Sequence, residues 1–324
     1  MNSSATPAYS PAPRPVTPGR RIPKVHILLF VLTFVTTNTV GSLLHGSTPS
    51  DWAAGLPYSV TLLSILLFHE FGHFCFARLH QVRATYPFLI PFPLFPGTFG
   101  AVIMMERNSP HRRALFDIGV AGPLAGFLVA VPAVMLGLYL SDVQPLDPRL
   151  GGMSLGTSWL FRALTYLVLG VDERDVLINL HPIAVAGWVG LFVTMLNLLP
   201  VAQLDGGHIS YAVFGRFSRY VSLGTLVFML VLGLDSVSGD GWPGWLVWGG
   251  LVTVIGINHP PTLDQATPLT PRRLLTAGVA LLVLIATFVP NPFPETHPLP
   301  AFPGERTPVS APEPERPHGF LIAL

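Results

Sequence analysis

The stretch Leu56–Leu79, LPYSVTLLSILLFHEFGHFCFARL, decides how this chain folds. It is an apolar run long enough to cross a bilayer as a helix, which takes about 20 residues, yet His69, Glu70 and His73 stand together inside it. Ionisable side chains at membrane depth are expensive, so something must repay them. His69 and His73 are four apart, which on a helix puts both imidazoles on one face with Glu70 beside them. That is the arrangement of zinc hydrolases. Zinc takes imidazole nitrogens at about 2.0–2.1 Å, and two rings one turn apart supply two corners of a tetrahedral shell. A catalytic site leaves one corner for water, whose pKa falls to about 7, so that a neighbouring carboxylate can take its proton. Glu70 is placed for that work. The plainer alternative is a helix whose histidines are merely hydrogen-bonded.

Composition agrees with a membrane setting. Charged residues are 11% of the chain and hydrophobic ones 50%, where an ordinary soluble domain is about 25% charged. A formal net charge of +1 and the lack of a basic stripe interleaved with aromatics argue against a nucleic-acid partner. The single cysteine, Cys75, forms no internal disulfide and reads as packing. The ends are different material. Residues 1–24 are rich in Pro, Ser and Thr, and residues 291–324 carry nine prolines, so both are expected to be disordered tails around a membrane domain at 25–290. The first tail superficially resembles a transit peptide, but its prolines would break the amphipathic helix such peptides form, and a solvated tail is expected.

Seven apolar segments are candidate spans: Val25–Leu44, Leu56–Leu79, Ala114–Leu140, Pro182–Leu199, Val221–Leu234, Trp242–Ile257 and Leu274–Val289. If all cross, only Arg149, Arg162, Arg174, Arg306 and Arg316 of the 18 Lys and Arg residues fall opposite the rest. The basic side should be cytoplasmic, with the histidine motif near that end of the second span. The amphipathic segment Leu155–Gly170, interrupted by Arg162, is expected to lie on the outer surface. Residues 87–106 are too rich in Pro and Gly for a helix and read as a re-entrant β-hairpin, because irregular backbone survives at membrane depth only under protein or beside a watery cavity. Its second half has strand character, and its edge is expected to pair with an extended peptide. The expected fold is therefore an all-α polytopic membrane protein of about six to seven transmembrane helices plus that hairpin.

A second motif follows the fourth span: Asn197-Leu198-Leu199-Pro200-Val201-Ala202-Gln203-Leu204-Asp205-Gly206-Gly207-His208. Pro200 unsettles the helix and the glycines let the backbone turn sharply, so Asp205 is well presented as an oxygen ligand. Were it the third ligand, an even number of crossings must separate it from His73; the third and fourth spans supply two, provided Leu155–Gly170 does not cross. Here the chain closely resembles the site-2 protease family of intramembrane zinc metalloproteases, whose signatures are HExxH and a downstream NxxPxxxLDG. Phe116–Pro123 and Gly97–Gly100 are similar to the branch with the chloroplast members and their bacterial relatives, and Asn258–Thr262 also looks familiar there. The loop Ser141–His181 is too short for an inserted PDZ domain.

The resemblance implies one zinc ion per chain held by His69, His73 and Asp205, with Glu70 as the catalytic base, and a single-span membrane protein as substrate. Asn197 and Gly97, Thr98, Phe99 and Gly100 are the candidate substrate contacts. The expected setting is the lipid bilayer of a bacterial cell, with the N-terminus and active site toward the cytoplasm. His208 reads as a helix-start residue and Asp117 as a carboxylate favoured by a helix dipole. Other readings are a metal-ion transporter, a scaffold that keeps the fold without catalysis, and a zinc protease with Glu106 or Glu173 as third ligand.

Overall fold

The computed structural model describes residues 23–105, 111–145, 153–172, 176–201, 203–237, 241–256, 267–294 and 320–322. The first two helices, α1 (Lys24–Leu44) and α2 (Trp52–Leu79), form a hairpin. Asp51 caps α2 by accepting from the Ala54 amide at 3.2 Å, Asn38 donates to the Trp52 carbonyl at 3.2 Å, and Ser42 donates to the Asp51 carbonyl at 2.6 Å. The side of α1 facing α2 is polar, with Thr33, Thr37 and Asn38 buried, while Ile27, Leu28 and Val31 face outward. Lipid accepts the apolar side chains, and hydroxyls find partners inside, as Thr37 Oγ1 does with Ser59 Oγ at 2.7 Å.

Two short strands follow, β1 (Phe88–Pro91) and β2 (Thr98–Val102), paired antiparallel with Leu89 opposite Ala101. They form the expected hairpin. Its tip is pinned to the helices where the Tyr58 hydroxyl donates to the Pro96 carbonyl at 2.8 Å and the Thr36 hydroxyl to Gly97 at 2.7 Å. Next come α3 (Arg112–Tyr139), β3 (Asp142–Pro145), β4 (Met153–Ser154), α4 (Trp159–Leu169), β5 (Val176–Leu180) and α5 (Pro182–Leu198). α5 is the axis of the bundle: apolar on all sides and buried over most of its length, as a helix enclosed by others should be. It meets α3 through small residues, and a side chain at Gly137 would overlap the backbone of Ala184.

The chain then runs through α6 (Asp205–Phe214), α7 (Ser218–Leu234), α8 (Gly244–Ile255), α9 (Pro271–Thr287) and β6 (Phe320–Ile322). Four stretches are long and apolar enough to cross a membrane: α1, α2, α3 and the run Asp205–Leu234, in which a 3-10 turn joins α6 to α7. These two helices are not one straight crossing. The chain reverses at Gly215, φ 58°, between Ala212, whose carbonyl accepts from Arg112 at the start of α3, and Ser222, which donates back to the Pro200 carbonyl at 3.3 Å. The fifth span is therefore α7, close to the expected Val221–Leu234. α5 and α9 have 17 residues each, about 26 Å. α8 has 12, yet it descends from Trp245, which donates to the Pro290 carbonyl, to Val252, which packs on Val201.

The fold is the expected helical membrane bundle with its hairpin, and to it the structure adds a four-stranded sheet in the order β3-β5-β6-β4. This sheet shows that α4 does not cross: β4 and β5 flank α4 in sequence and share one sheet, so α4 returns to the side on which it began. Its amphipathic face agrees, with Phe161 and Thr165 buried while Trp159 and Tyr166 are exposed. Part of the tail expected to be structureless from 291 is also placed. Phe293 packs against Trp188 with centroids 5.7 Å apart, and Phe320–Ile322 forms β6. Residues 1–22 and 295–319, Glu106, Glu173 and Asn258–Thr262 lie outside the described residues.

Asp117 also differs from its expected role. It lies beyond the first turn of α3, where a helix dipole has faded. Its carboxylate instead accepts two hydrogen bonds from Arg273 of α9, at 2.8 and 2.6 Å, and lies 2.9 Å from His80 Nε2 at the end of α2. One partly buried carboxylate therefore clasps three helices at the basic end of the bundle. Replacing Asp117 with Ala should cost about 1–3 kcal/mol of stability. Thermal unfolding in detergent reads this as a lower midpoint, and an unshifted midpoint removes the clasp from the stabilising contacts.

Candidate metal centre

His69 and His73 project from adjacent turns of α2, and Asp205 is the first residue of α6. Their donor atoms converge. His69 Nε2 lies 3.1 Å from His73 Nε2, and Asp205 Oδ2 lies 3.2 Å from each. Ligands at about 2.0–2.1 Å from a tetrahedral ion are separated by about 3.3–3.4 Å, so the triangle has nearly the size that zinc requires. All three form a group able to hold a metal ion, and among the described residues it is the one such group.

The hydrogen-bond chemistry points the same way. His73 Nδ1 lies 2.8 Å from the Ile118 carbonyl, which can only accept. The proton is therefore on Nδ1, which leaves Nε2 as the atom that turns a lone pair toward Asp205 whenever the ring is neutral, the form a metal ion binds, and the ionised carboxylate opposite also only accepts. Two acceptors facing each other at 3.2 Å need positive charge between them. A single divalent ion at the common point satisfies all three contacts, where a proton satisfies one edge. The residues present fit zinc.

α3 makes this approach possible. A Cβ at Gly122 would overlap the His73 ring, and one at Gly126 would lie 3.2 Å from His69 Cβ. With hydrogen in both places, α2 settles against the α3 backbone and His73 reaches the Ile118 carbonyl. Across the site, α5 ends at Leu198 before Pro200, and the chain turns back so closely that a Cβ at Gly206 would overlap the Leu198 carbonyl. Asp205 thereby enters from the opposite side to α2.

Glu70 is outside the triangle but buried beside it, 5% exposed like both histidines, and its carboxylate interacts with the Ile103 backbone amide just past β2. Asn197 also faces the centre, its Nδ2 3.4 Å from His69 Nε2. His208 does not belong to the convergent group; its Cβ packs by Gly119. Gly97 and Thr98 are held at the level of Thr36 and Tyr58. Tyr58 lies 11 residues before His69 on α2, roughly 16 Å along the helix. The hairpin residue in contact with the site is thus Ile103, while Gly97 and the start of β2 lie at the hairpin's far end. Ile118, Gly122 and Gly126 were not singled out as site residues, although Gly119, Gly122 and Gly126 form a stripe of small residues at helical spacing, a signal of close helix contact.

The fold and the cluster together define a helical membrane protein with a His, His, Asp cluster inside its bundle that is able to hold a metal ion. Residues 57–233 match Peptidase family M50, and the chain belongs to that family. It is 34% identical over 248 residues to "Probable zinc metalloprotease EGY1, chloroplastic" of Arabidopsis thaliana, covering 73% of this chain and 43% of that protein. To "Probable zinc metalloprotease EGY2, chloroplastic" of the same plant it is 26% identical, covering 74% and 42%. The chain thus spans less than half the length of these relatives. The solved site-2 protease from Methanocaldococcus jannaschii is 17% identical, with a TM-score of 0.33 over 80% of this chain and 86% of that one, too loose a superposition to carry structural detail across. The family resemblance seen in the two motifs, and the kinship with chloroplast members, are borne out. A bacterial cell membrane finds no support in these relatives.

Substituting Gly122 with Val should push the His73 ring off the Ile118 carbonyl and weaken Zn2+ or Co2+ binding by about 10–100-fold. Titration with Co2+, followed by its visible absorption, measures this. Unchanged affinity in a folded variant would show that the close approach of α3 does not position the ring.

Proposed function

We infer that this chain is a zinc-dependent endopeptidase that hydrolyses peptide bonds of membrane-spanning proteins within the bilayer. One Zn2+ per chain is held by His69, His73 and Asp205, and residues 25–290 form the catalytic unit. The observation that carries this reading is the convergence of Nε2, Nε2 and Oδ2 at 3.1–3.2 Å with a buried carboxylate beside them. Zinc, when bound, supplies Lewis acidity that makes water acidic near neutral pH and polarises a carbonyl.

The protein's own residues do the rest. Glu70 takes the proton of the attacking water and delivers it to the leaving amine, so no covalent acyl intermediate is needed. The Ile103 amide steadies its carboxylate. The Ile118 carbonyl fixes the His73 tautomer, which keeps Nε2 free as a ligand atom. A substrate helix hides its carbonyls in its own hydrogen bonds and has to unwind before attack. Beside Glu70, the hairpin offers strand pairing to the unwound segment, replacing hydrogen bonds that lipid cannot supply. Asn197 is positioned to bond the substrate backbone at the cleavage site, and Gly97, Thr98, Phe99 and Gly100 guide the segment farther away. The active site lies toward the membrane side where Lys and Arg concentrate.

A transporter would need further ligands along a path, and the described residues hold one convergent group. A purely structural ion has no use for Glu70. Replacing Glu70 with Gln should leave zinc bound and slow cleavage of a transmembrane peptide by about 10²–10⁴-fold; wild-type turnover by that variant would reject the base assignment. Replacing Asp205 with Ala should lower zinc content per chain, measured by elemental analysis, and full occupancy in that variant would strike Asp205 from the ligand set.

A further inference from the structure

After nine prolines between 291 and 318, the sequence turns apolar at Gly319-Phe320-Leu321-Ile322-Ala323-Leu324. Nothing in the metal site uses this segment, yet Phe320–Ile322 is an inner strand of the outer sheet. It pairs antiparallel with β5, placing Ile178, Asn179 and Leu180 opposite Ile322, Leu321 and Phe320. It also pairs parallel with β4, placing Met153 and Ser154 opposite Phe320 and Leu321.

Take β6 away and β5 and β4 stand two ladder spacings apart, about 9.5 Å. Each then presents an open backbone edge to the other. Such a slot binds any extended peptide through main-chain bonds and selects by side-chain pockets. The wall beneath is apolar and already built, with Ile178, Leu180 and Leu155 buried in the main core. The Pro292 carbonyl accepts from the Gly156 amide at 2.9 Å, two residues past β4, so the chain passes close to the slot well before its last strand in sequence. Twenty-five residues, 295–319, lie between Pro294 and that strand. A strand held within its own chain competes at an effective concentration that a well-matched peptide can overcome.

The slot is also joined to the metal centre. β5 passes through His181 directly into α5, the helix that carries Asn197 and ends just before Pro200. We propose that the gap between β5 and β4 is a strand-addition site for the extended apolar segment flanking a membrane substrate's span on the outer side. Phe320–Ile322 is its intramolecular occupant and leaves when the substrate pairs. This rests on the proteolytic reading for the identity of the occupant, whereas peptide binding itself requires no turnover.

The test uses the full chain in nanodiscs and a fluorescent peptide copying Arg316–Leu324, with a scrambled peptide as control. Replacing Leu321 with Pro removes the amide of the residue paired with both Asn179 and Ser154, and should tighten peptide binding by at least about tenfold. A disulfide between Asn179→Cys and Leu321→Cys, in a Cys75→Ser background, should abolish peptide binding. It should also slow cleavage of a single-span substrate with an apolar flank, both effects reversing on reduction. Equal peptide affinity with and without Leu321→Pro, or cleavage indifferent to the disulfide, overturns the proposal. If no variant, wild type included, cleaves the substrate while the peptide still binds more tightly to Leu321→Pro, the proteolytic reading fails and the slot stands as a peptide site.

Discussion

Three lone-pair atoms facing one another at 3.1–3.2 Å, in a place from which water is largely excluded, are the constraint on which this structure turns. Such a cluster persists only around positive charge, because burying unpaired acceptors or a bare carboxylate costs several kcal/mol. The surrounding architecture serves that convergence. Gly122 and Gly126 let α2 lie against α3, Pro200 ends α5 at the right depth, and Gly206 lets the chain fold back so that Asp205 meets the histidines from the far side. Each of these residues lacks either a side chain or an amide hydrogen. The centre is thus made possible largely by what its neighbours omit.

Much of this was legible in the sequence because the chemistry is local. His69 and His73 share a helix face by spacing alone, and seven apolar runs announce the helices that carry them. Residues 197–208 display Asp205 by the backbone habits of proline and glycine. The placement of Leu155–Gly170 outside the membrane followed from parity, and the sheet that flanks α4 now gives that inference a direct physical basis. The hairpin was readable because four prolines forbid a helix between 87 and 96.

What stayed hidden depends on partners far apart in the chain. No local rule pairs Ile118 with His73, 45 residues away, or brings Arg273 to Asp117 across 156. A helix dipole does not account for Asp117, whose partners lie on two other helices. Nothing local marks Ile103, at the base of the hairpin beside Glu70, whereas the glycines at 97 and 100 mark its tip. The outer sheet was missed for a related reason: β3, β4 and β6 are very short, and only mutual pairing makes them strands.

The brevity of α8 has a consequence for the surrounding lipid. Its 12 residues reach about 18 Å, yet Val247 and Val254 are largely uncovered by protein. The described part of this flank thus falls short of a hydrocarbon layer about 30 Å thick, and because each ångström of mismatch costs fractions of a kcal/mol, a helix of that length sits with less distortion in a thinner membrane.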